Sequence, residues 1–320
     1  MTNILLTGAA GFVGRALAAR LAMQPGVHLR LAVRSPSPQD LRGVGETVVV
    51  GDLAGAADLD SLLNGIDVVV HAAARAHVMR EPSADPLAAY RAANVLATAR
   101  LAESAARAGA RRFIHLSSVK VHGDRSDAGR PWTEDSPFRP QDAYGQSKAE
   151  AEQVLQERAH RSGMDWVCVR PPLVYGPGVG ANFLALMHAV RRGLPLPLGA
   201  LQNRRSLIAL DNLCDFISLC IRHPAAGGQT FLVSDGQDLS TPELVRALAG
   251  AMGRPARLIA IPPWLMYGTA ALAGRRAAWQ RLSGDLQVDI GKARALLGWQ
   301  PPVTVALGLQ QCVAGYSPPP

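Results

Sequence analysis

Aromatic residues make up only 5% of this 320-residue chain and charged residues only 18%. Hydrophobic residues reach 48%, so the shortage of charge leaves ample material for a core and excludes global disorder. Cysteine is scarce. The four cysteines, Cys168, Cys214, Cys220 and Cys312, show no paired metal-ligand spacing. They read as buried reduced thiols in a cytoplasmic chain, with neither a disulfide framework nor a metal site. Long apolar runs are missing too. The apolar run Leu258 to Gly274 carries no charge, but it has only 17 residues and is broken by Pro262-Pro263. That is too short and too interrupted for a transmembrane segment. Burial, a dimer patch and a membrane-facing patch stay open for it. No signal peptide is expected, because Asn3 to Thr7 lead straight into a glycine motif.

Acids are in deficit as well: 33 Lys and Arg face 25 Asp and Glu, a net charge of +8. Such a surplus favours anionic ligands, phosphates first. Nucleic acid would need a dense basic stripe, whereas the longest basic runs are pairs such as Arg111-Arg112, Arg191-Arg192 and Arg204-Arg205. The length fits two domains, or one large α/β domain with an appended lobe.

The first half alternates short apolar runs with longer amphipathic ones. Strands are expected at Ile4–Thr7, Leu29–Val33, Thr47–Val50, Val68–His71, Arg112–Leu116 and Trp166–Arg170. Several are unbroken Val/Ile/Leu runs, as parallel strands covered on both faces require. Helices are expected at Phe12–Ala22, Leu87–Ala108 and Tyr144–Arg161, the last two ending at Gly109 and Gly163. This alternation gives an α/β fold, a Rossmann-type doubly wound parallel sheet. Past Arg170 the rhythm breaks at Pro171, Pro172, Pro177, Pro195 and Pro197. A further strand is expected at Phe231–Val233, and a helix at Thr241–Met252 opening on Ser240 or Thr241, Pro242 and Glu243. The expected division is a dinucleotide-binding domain over 1–170, returning to the sheet at 206–234, and a smaller lobe from 171–205 and 235–310.

The first strand runs into Thr7-Gly8-Ala9-Ala10-Gly11-Phe12-Val13-Gly14. Gly8 permits a tight turn, Gly11 lets backbone approach a pyrophosphate, and Gly14 lets the helix lie against the strand. The helix N-terminus adds free N–H groups and partial positive charge. At the end of the second strand an acid would bind a ribose 2′-hydroxyl. The chain instead reads Val33-Arg34-Ser35, which suits a 2′-phosphate and leans to NADP(H), with NAD(H) the alternative. A solvated arginine is the other reading of Arg34. Asp52 and Leu53 suit an adenine flank, and a simple turn aspartate is the competing reading.

Tyr144 and Lys148 lie four apart on one face of an expected helix. The ammonium is expected to stabilise a phenolate and lower the tyrosine pKa from about 10. Ser117-Ser118 ends the fifth strand, 26 residues before Tyr144 for Ser118, on the crevice side of a doubly wound sheet. Ser118, Tyr144 and Lys148 together suit proton transfer at a sugar or alcohol oxygen.

With these motifs in place, the chain resembles an extended short-chain dehydrogenase/reductase of the UDP-glucose 4-epimerase and nucleotide-sugar 4-keto reductase branch. The resemblance rests on TGAAGFVG, HAAA at 71–74, Asn94, LSSVKVHG at 116–123, YGQSK at 144–148, RPPLVYGPG at 170–178 and RRSLIALDN at 204–212. It implies that Gly8, Gly11, Phe12, Val13, Gly14, Arg34, Asp52, Leu53, Ala72, Ala73, Tyr144 and Lys148 hold the dinucleotide, while Asn94 steadies the central helix beside it. It implies that Ser118 and Tyr144 touch the reacting oxygen, that Asn182 and Arg205 hold the diphosphate of a nucleotide sugar, and that Arg281 and Asp285 form a further clamp. A guanidinium fork suits diphosphate. A homodimer through the helices at 87–108 and 144–161 is implied too. Two departures stand out: Pro171-Pro172-Leu173 lacks the asparagine usual in epimerases, and Lys120 and His122 replace the common residues after Ser118. Lys120 and His122, like Arg75 and His77, suit either pocket walls or solvent-facing loops.

The SSVK variant resembles bacterial enzymes of surface-polysaccharide sugars. The leading expectation is therefore an NADP(H)-linked 4-keto reductase of a UDP-2-acetamido-2,6-dideoxy-hexulose. The alternative is a UDP-hexose 4-epimerase with tightly bound NAD. A redox-sensing dinucleotide-binding module is the third, disfavoured because Tyr144 and Lys148 are both present.

Overall fold

The computed structural model of the chain describes residues 1–36, 41–55, 58–76, 85–272, 274 and 276–316, with the backbone alone at Ala270, Arg276, Ala277, Ala278 and Arg281. Nine strands run β1 Thr2–Thr7, β2 Val27–Val33, β3 Glu46–Val49, β4 Val68–His71, β5 Arg112–Leu116, β6 Asp165–Arg170, β7 Leu173–Tyr175, β8 Leu207–Ala209 and β9 Gln229–Leu232 among the described residues. Seven of them form one sheet in the order β3-β2-β1-β4-β5-β6-β9, with every pairing parallel. The remaining two, β7 and β8, pair in parallel with each other.

The helices are α1 Phe12–Ala22, α2 Leu59–Leu63, α3 Pro86–Tyr90, α4 Ala97–Arg107, α5 Ala143–Ser162, α6 Ala181–Arg191, α7 Leu210–Arg222, α8 Thr241–Ala251, α9 Pro263–Leu272, α10 Arg276–Ser283, α11 Gly291–Leu297 and α12 Val305–Ala314. Strand residues alternate between two cores. Ile4, Leu6, Val68, Val70 and Ile114 pack with α1 and α7, through Leu17, Leu21, Leu213 and Ile217. Leu5, Val69, Phe113 and Cys168 face the other way, onto Leu62, Leu101, Ala105 and Leu155 of α2, α4 and α5. A strand buried on both faces needs no polar alternation, which is why these segments read as unbroken apolar runs.

Three differences from the sequence reading have physical reasons. The single helix expected over 87–108 is three pieces, because Arg91–Leu96 between α3 and α4 is π-helical. Its apolar pattern is still helical, so the change of winding leaves little trace in sequence. The Pro-punctuated stretch after Arg170 holds β7 and α6 despite its prolines. The return to the main sheet is confined to β9, since β8 pairs with β7. The helix at 241 opens on Ser240, whose hydroxyl and the Glu243 carboxylate form a capping box. The four cysteines are free and buried. No described helix is long and apolar enough to cross a membrane.

Candidate active site

The glycine turn has a shape that only glycine permits at two of its three positions. Gly8 has φ +71, and a Cβ there would lie 2.6 Å from the Ala73 nitrogen. A Cβ on Gly14 would lie 2.0 Å from the Gly8 carbonyl oxygen. Gly11 donates its N–H to that same carbonyl at 2.9 Å and forms the N-cap of α1. No side chain caps α1, and its first turn holds no acid. The open N–H groups and the positive end of the helix therefore face a cradle without side chains, which fits a pyrophosphate. Phe12, Val13, Ala72 and Ala73 are half-buried around it. The Thr7 hydroxyl meets His71 Nδ1 at 2.7 Å and ties the ends of β1 and β4 together.

Arg34 and Ser35 are exposed just beyond β2. Asp52 Oδ1 accepts from the Ala54 nitrogen at 3.0 Å, the geometry of a turn aspartate. Leu53 is buried in the core on the α2 side of the sheet. Asn94, in the π-helical turn, accepts from the Arg75 nitrogen at 2.8 Å and donates to the Arg75 carbonyl and the Ser147 hydroxyl. Both of its N–H groups are used by the protein itself, so it ties the segment after β4 to α5.

Three consecutive residues at the end of β5 are bound to one face of α5. The Ser118 hydroxyl is hydrogen-bonded to the Tyr144 phenol. Lys148 Nζ donates to the Leu116 carbonyl at 2.7 Å. The Ser117 hydroxyl donates to Glu152 Oε1. Positions 144, 148 and 152 are four apart, which stacks them on one helix face. The serine, tyrosine and lysine named from the sequence are thus brought together.

The electrostatics differ from expectation. Burial pushes the Tyr144 phenol up to about 12, the Ser118 hydrogen bond pulls it down, and Asp142 and Tyr90 add to the rise. Lys148 points to a carbonyl and does not depress the phenol. Its own ammonium is pushed down to about 8 by burial, against the opposing Glu152 carboxylate. Spacing along a helix says which residues share a face; it does not say how dry that face is.

Sequence reasoning missed the residues that hold this arrangement. Asp142 caps α5 by accepting from the Gly145 nitrogen at 2.7 Å, and its other oxygen meets Lys120 Nζ at 2.8 Å. Lys120 also binds Asp124 at 2.6 Å, so it clamps the Ser118 turn to the start of the helix carrying Tyr144. Glu152 receives the Arg170 guanidinium through Nε and Nη2, the latter at 2.6 Å, in a pair that is almost wholly buried. His122 is not solvent-facing. It is buried, with Nε2 3.0 Å from Arg170 Nη1, and burial together with the nearby guanidinium pushes its pKa down to about 4. Arg75 lies over the Tyr90 ring at 5.4 Å. The i,i+4 spacing of Lys148 and Glu152 was the available signal for Glu152. Its partner lies on a different element.

In the second half, Arg205 donates from Nη1 to the Gly284 carbonyl at 2.8 Å. Burial pushes its guanidinium down, while Asp124 and Asp285 act the other way. Asp285 Oδ1 accepts from the Arg204 nitrogen at 2.6 Å. Arg205 and Asp285 are thus neighbours, and Asp124 links them electrostatically to Lys120 near Ser118. Asn182 is exposed in the first turn of α6, after Ala181 with φ 51. His77 and the side chain of Arg281 lie outside the described residues. No group of three or more metal-ligating side chains is found among the described residues.

The match to known proteins is consistent with this geometry. Residues 4–234 match the NAD dependent epimerase/dehydratase family. The chain belongs to that family. It is 44% identical to a UDP-glucose 4-epimerase of Vibrio cholerae, over 98% of this chain and 95% of that protein. It is 33% identical to a UDP-glucose 4-epimerase of Mycolicibacterium smegmatis, over 97% of this chain and 96% of that one. Among solved structures, MoeE5 in complex with UDP-glucuronic acid and NAD superimposes with a TM-score of 0.77 at 27% identity, covering 98% of each chain. This family member is an enzyme of the nicotinamide-dependent nucleotide-sugar type, with the Rossmann-like sheet described above.

Proposed function

We propose that this family member is a UDP-hexose 4-epimerase that works with NAD(H). The observation that carries the reading is the 44% identity to a UDP-glucose 4-epimerase across nearly the full length of both proteins. When bound, the nicotinamide dinucleotide supplies a reversible hydride acceptor for the sugar C4 position. The Gly8–Gly14 turn and the α1 N-terminus hold its pyrophosphate, and Lys148 holds the nicotinamide ribose. The Tyr144 phenol, neutral in the ligand-free protein, would ionise once the positively charged oxidised cofactor is bound; its Oη then takes the proton of the C4 hydroxyl as the ketone forms and returns it when the opposite stereochemistry is made. The Ser118 hydroxyl stabilises the same oxygen. Arg205 and Asp285, with Asn182 and Arg281, hold the UDP portion in the lobe built from 171–205 and 235–310.

The test is incubation of the purified protein with UDP-glucose and catalytic NAD. Appearance of UDP-galactose without net change in nicotinamide absorbance supports the epimerase. One observation favours a second reading: Arg34 follows β2, where an acid would select NAD. Stoichiometric NADPH consumption with a UDP-4-keto-hexose would establish that reductase instead. A homodimer through α3 to α5 belongs to the same proposal and is read by sedimentation.

A further inference from the structure

Between Glu243 and Asp285 the sequence carries arginines 246, 254, 257, 275, 276 and 281 and no acid. Helix α9 lies inside that stretch, flanked by Pro262 on one side and Arg275-Arg276 on the other. Its sequence, Pro-Trp-Leu-Met-Tyr-Gly-Thr-Ala-Ala-Leu, is apolar almost all round. A helix of that kind belongs in an interior, but only part of α9 is in one. Met266 packs inward on the cluster of Leu198, Leu201 and Trp279. On the outside, Trp264 is 71% exposed and Leu272 is 93% exposed, with Leu265 and Tyr267 both at 43%.

The patch continues onto the neighbouring segment. Leu196 N donates to the Arg257 carbonyl and Ile259 N to the Leu196 carbonyl, each at 2.8 Å. That stitching sets Leu194 and Ile259, both 47% exposed, on adjoining segments. Exposed Arg191, Arg192, Arg254 and Arg257 stand on the same two segments. The second segment is as free of acid as the first, since none occurs between Asp165 and Asp211.

We propose that this face docks the protein onto an anionic lipid bilayer. The surface asks for a partner that is apolar and negatively charged at once. A bilayer offers acyl chains for Trp264, Leu265 and Leu272 just beneath a layer of anionic headgroups for the arginines. Tryptophan and tyrosine, apolar with one polar atom, suit that boundary. A second copy of the chain is a poor occupant, because a two-fold axis would bring the same arginines face to face. The association is peripheral: α9 has ten residues, too few to span a bilayer.

The test is flotation of the whole chain with phosphatidylcholine vesicles containing about 40 mol % phosphatidylglycerol, against pure phosphatidylcholine. Binding is expected to the anionic vesicles only, weakening as salt is raised. Trp264→Ser with Leu265→Ser should lower partitioning by about tenfold or more. Arg254→Gln with Arg257→Gln should lower it severalfold, and turnover of a soluble UDP-sugar should stay within about twofold in both variants. Insertion is read separately, with the fold left intact. Brominated lipid should quench part of the tryptophan emission, and Trp264→Phe should remove that quenching while keeping flotation. Failure to float with anionic vesicles overturns the proposal. So does unchanged flotation in the Trp264/Leu265 variant, or wild-type emission that brominated lipid leaves untouched. A dimer that dissociates on Trp264→Ser would assign the face to a second copy, and an acidic protein that binds it in place of vesicles would assign it to a protein partner.

Discussion

Glu152 lies at the centre of the site's support, receiving the Ser117 hydroxyl and the Arg170 guanidinium on one buried carboxylate. It also opposes the desolvation that pushes down the Lys148 ammonium. One side chain thus fixes the strand end that carries Ser118 and keeps the neighbouring amine charged.

Breaking that pair from one side should be costly. Arg170→Met leaves a buried carboxylate without its cation and should lower stability by about 3–5 kcal/mol. The double variant Arg170→Met/Glu152→Met should recover much of the loss. Denaturant midpoints of the two variants and the parent measure this. A double variant no more stable than Arg170→Met would show that the unpaired carboxylate is not the source of the cost.

Tyr144→Phe should reduce kcat by about 10²–10⁴-fold, the usual contribution of a positioned acid–base group. Dinucleotide affinity should change little, because the substitution removes one oxygen and keeps the ring against Tyr90, whose centroid is 6.2 Å away. Steady-state kinetics together with a binding titration separates the two effects.

Dinucleotide affinity should depend on pH through Lys148. Its folded pKa is pushed down to about 8. A ligand that uses the ammonium raises that value, so affinity is full below about 8 and falls as pH rises, by about tenfold per unit at most. Titrations from pH 6.5 to 9.5 should show the slope, and Lys148→Met should abolish it. Glu152→Gln removes the opposing carboxylate and should move the onset to lower pH.

Acid should destabilise the fold through His71 and His115, which stack at 5.5 Å in the sheet. Burial and the Lys148 charge push His71 down to about 3 and His115 well below its ordinary value. Among the described residues, His71 Nε2 and both ring nitrogens of His115 have no hydrogen-bond partner. Both rings are neutral when folded, and their depressed pKa values favour the folded state fully only above the unfolded value of 6.5. Stability should fall as pH drops from there toward about 3, by about 1.4 kcal/mol per unit and histidine at most. His115→Leu should flatten that dependence in denaturant melts between pH 7 and 4.

Gly14→Ala should be far more damaging than Gly11→Ala. The new methyl would meet the Gly8 carbonyl oxygen at 2.0 Å in the first case and at 3.2 Å in the second. Backbone on both sides leaves nothing soft to yield, so Gly14→Ala should lower Tm by several degrees and abolish dinucleotide binding. Gly11→Ala should retain the fold.

Strands β4 and β5 fall at Val68–His71 and Arg112–Leu116, the ranges their apolar runs mark out. The glycine turn and the Ser118–Tyr144–Lys148 grouping were equally legible, because spacing alone puts them at a strand end and on one helix face. What escaped the sequence depends on long-range contact. Strand β7 is only Leu173–Tyr175, next to two prolines, and is a strand because Leu207–Ala209 pairs with it. The raised pKa of Tyr144 comes from burial by other elements, and Lys120 reads as a loop lysine until Asp124 and Asp142 are seen to close on it.

Strand order has a bearing on synthesis. The β6 edge is covered only when β9, at Gln229–Leu232, adds to it. A nascent chain emerging from the ribosome has made six strands of the sheet by Arg170 and must extend a further sixty or so residues before the seventh arrives. Until then Val167 to Arg170 present open backbone groups, a sticky border to which another chain can add.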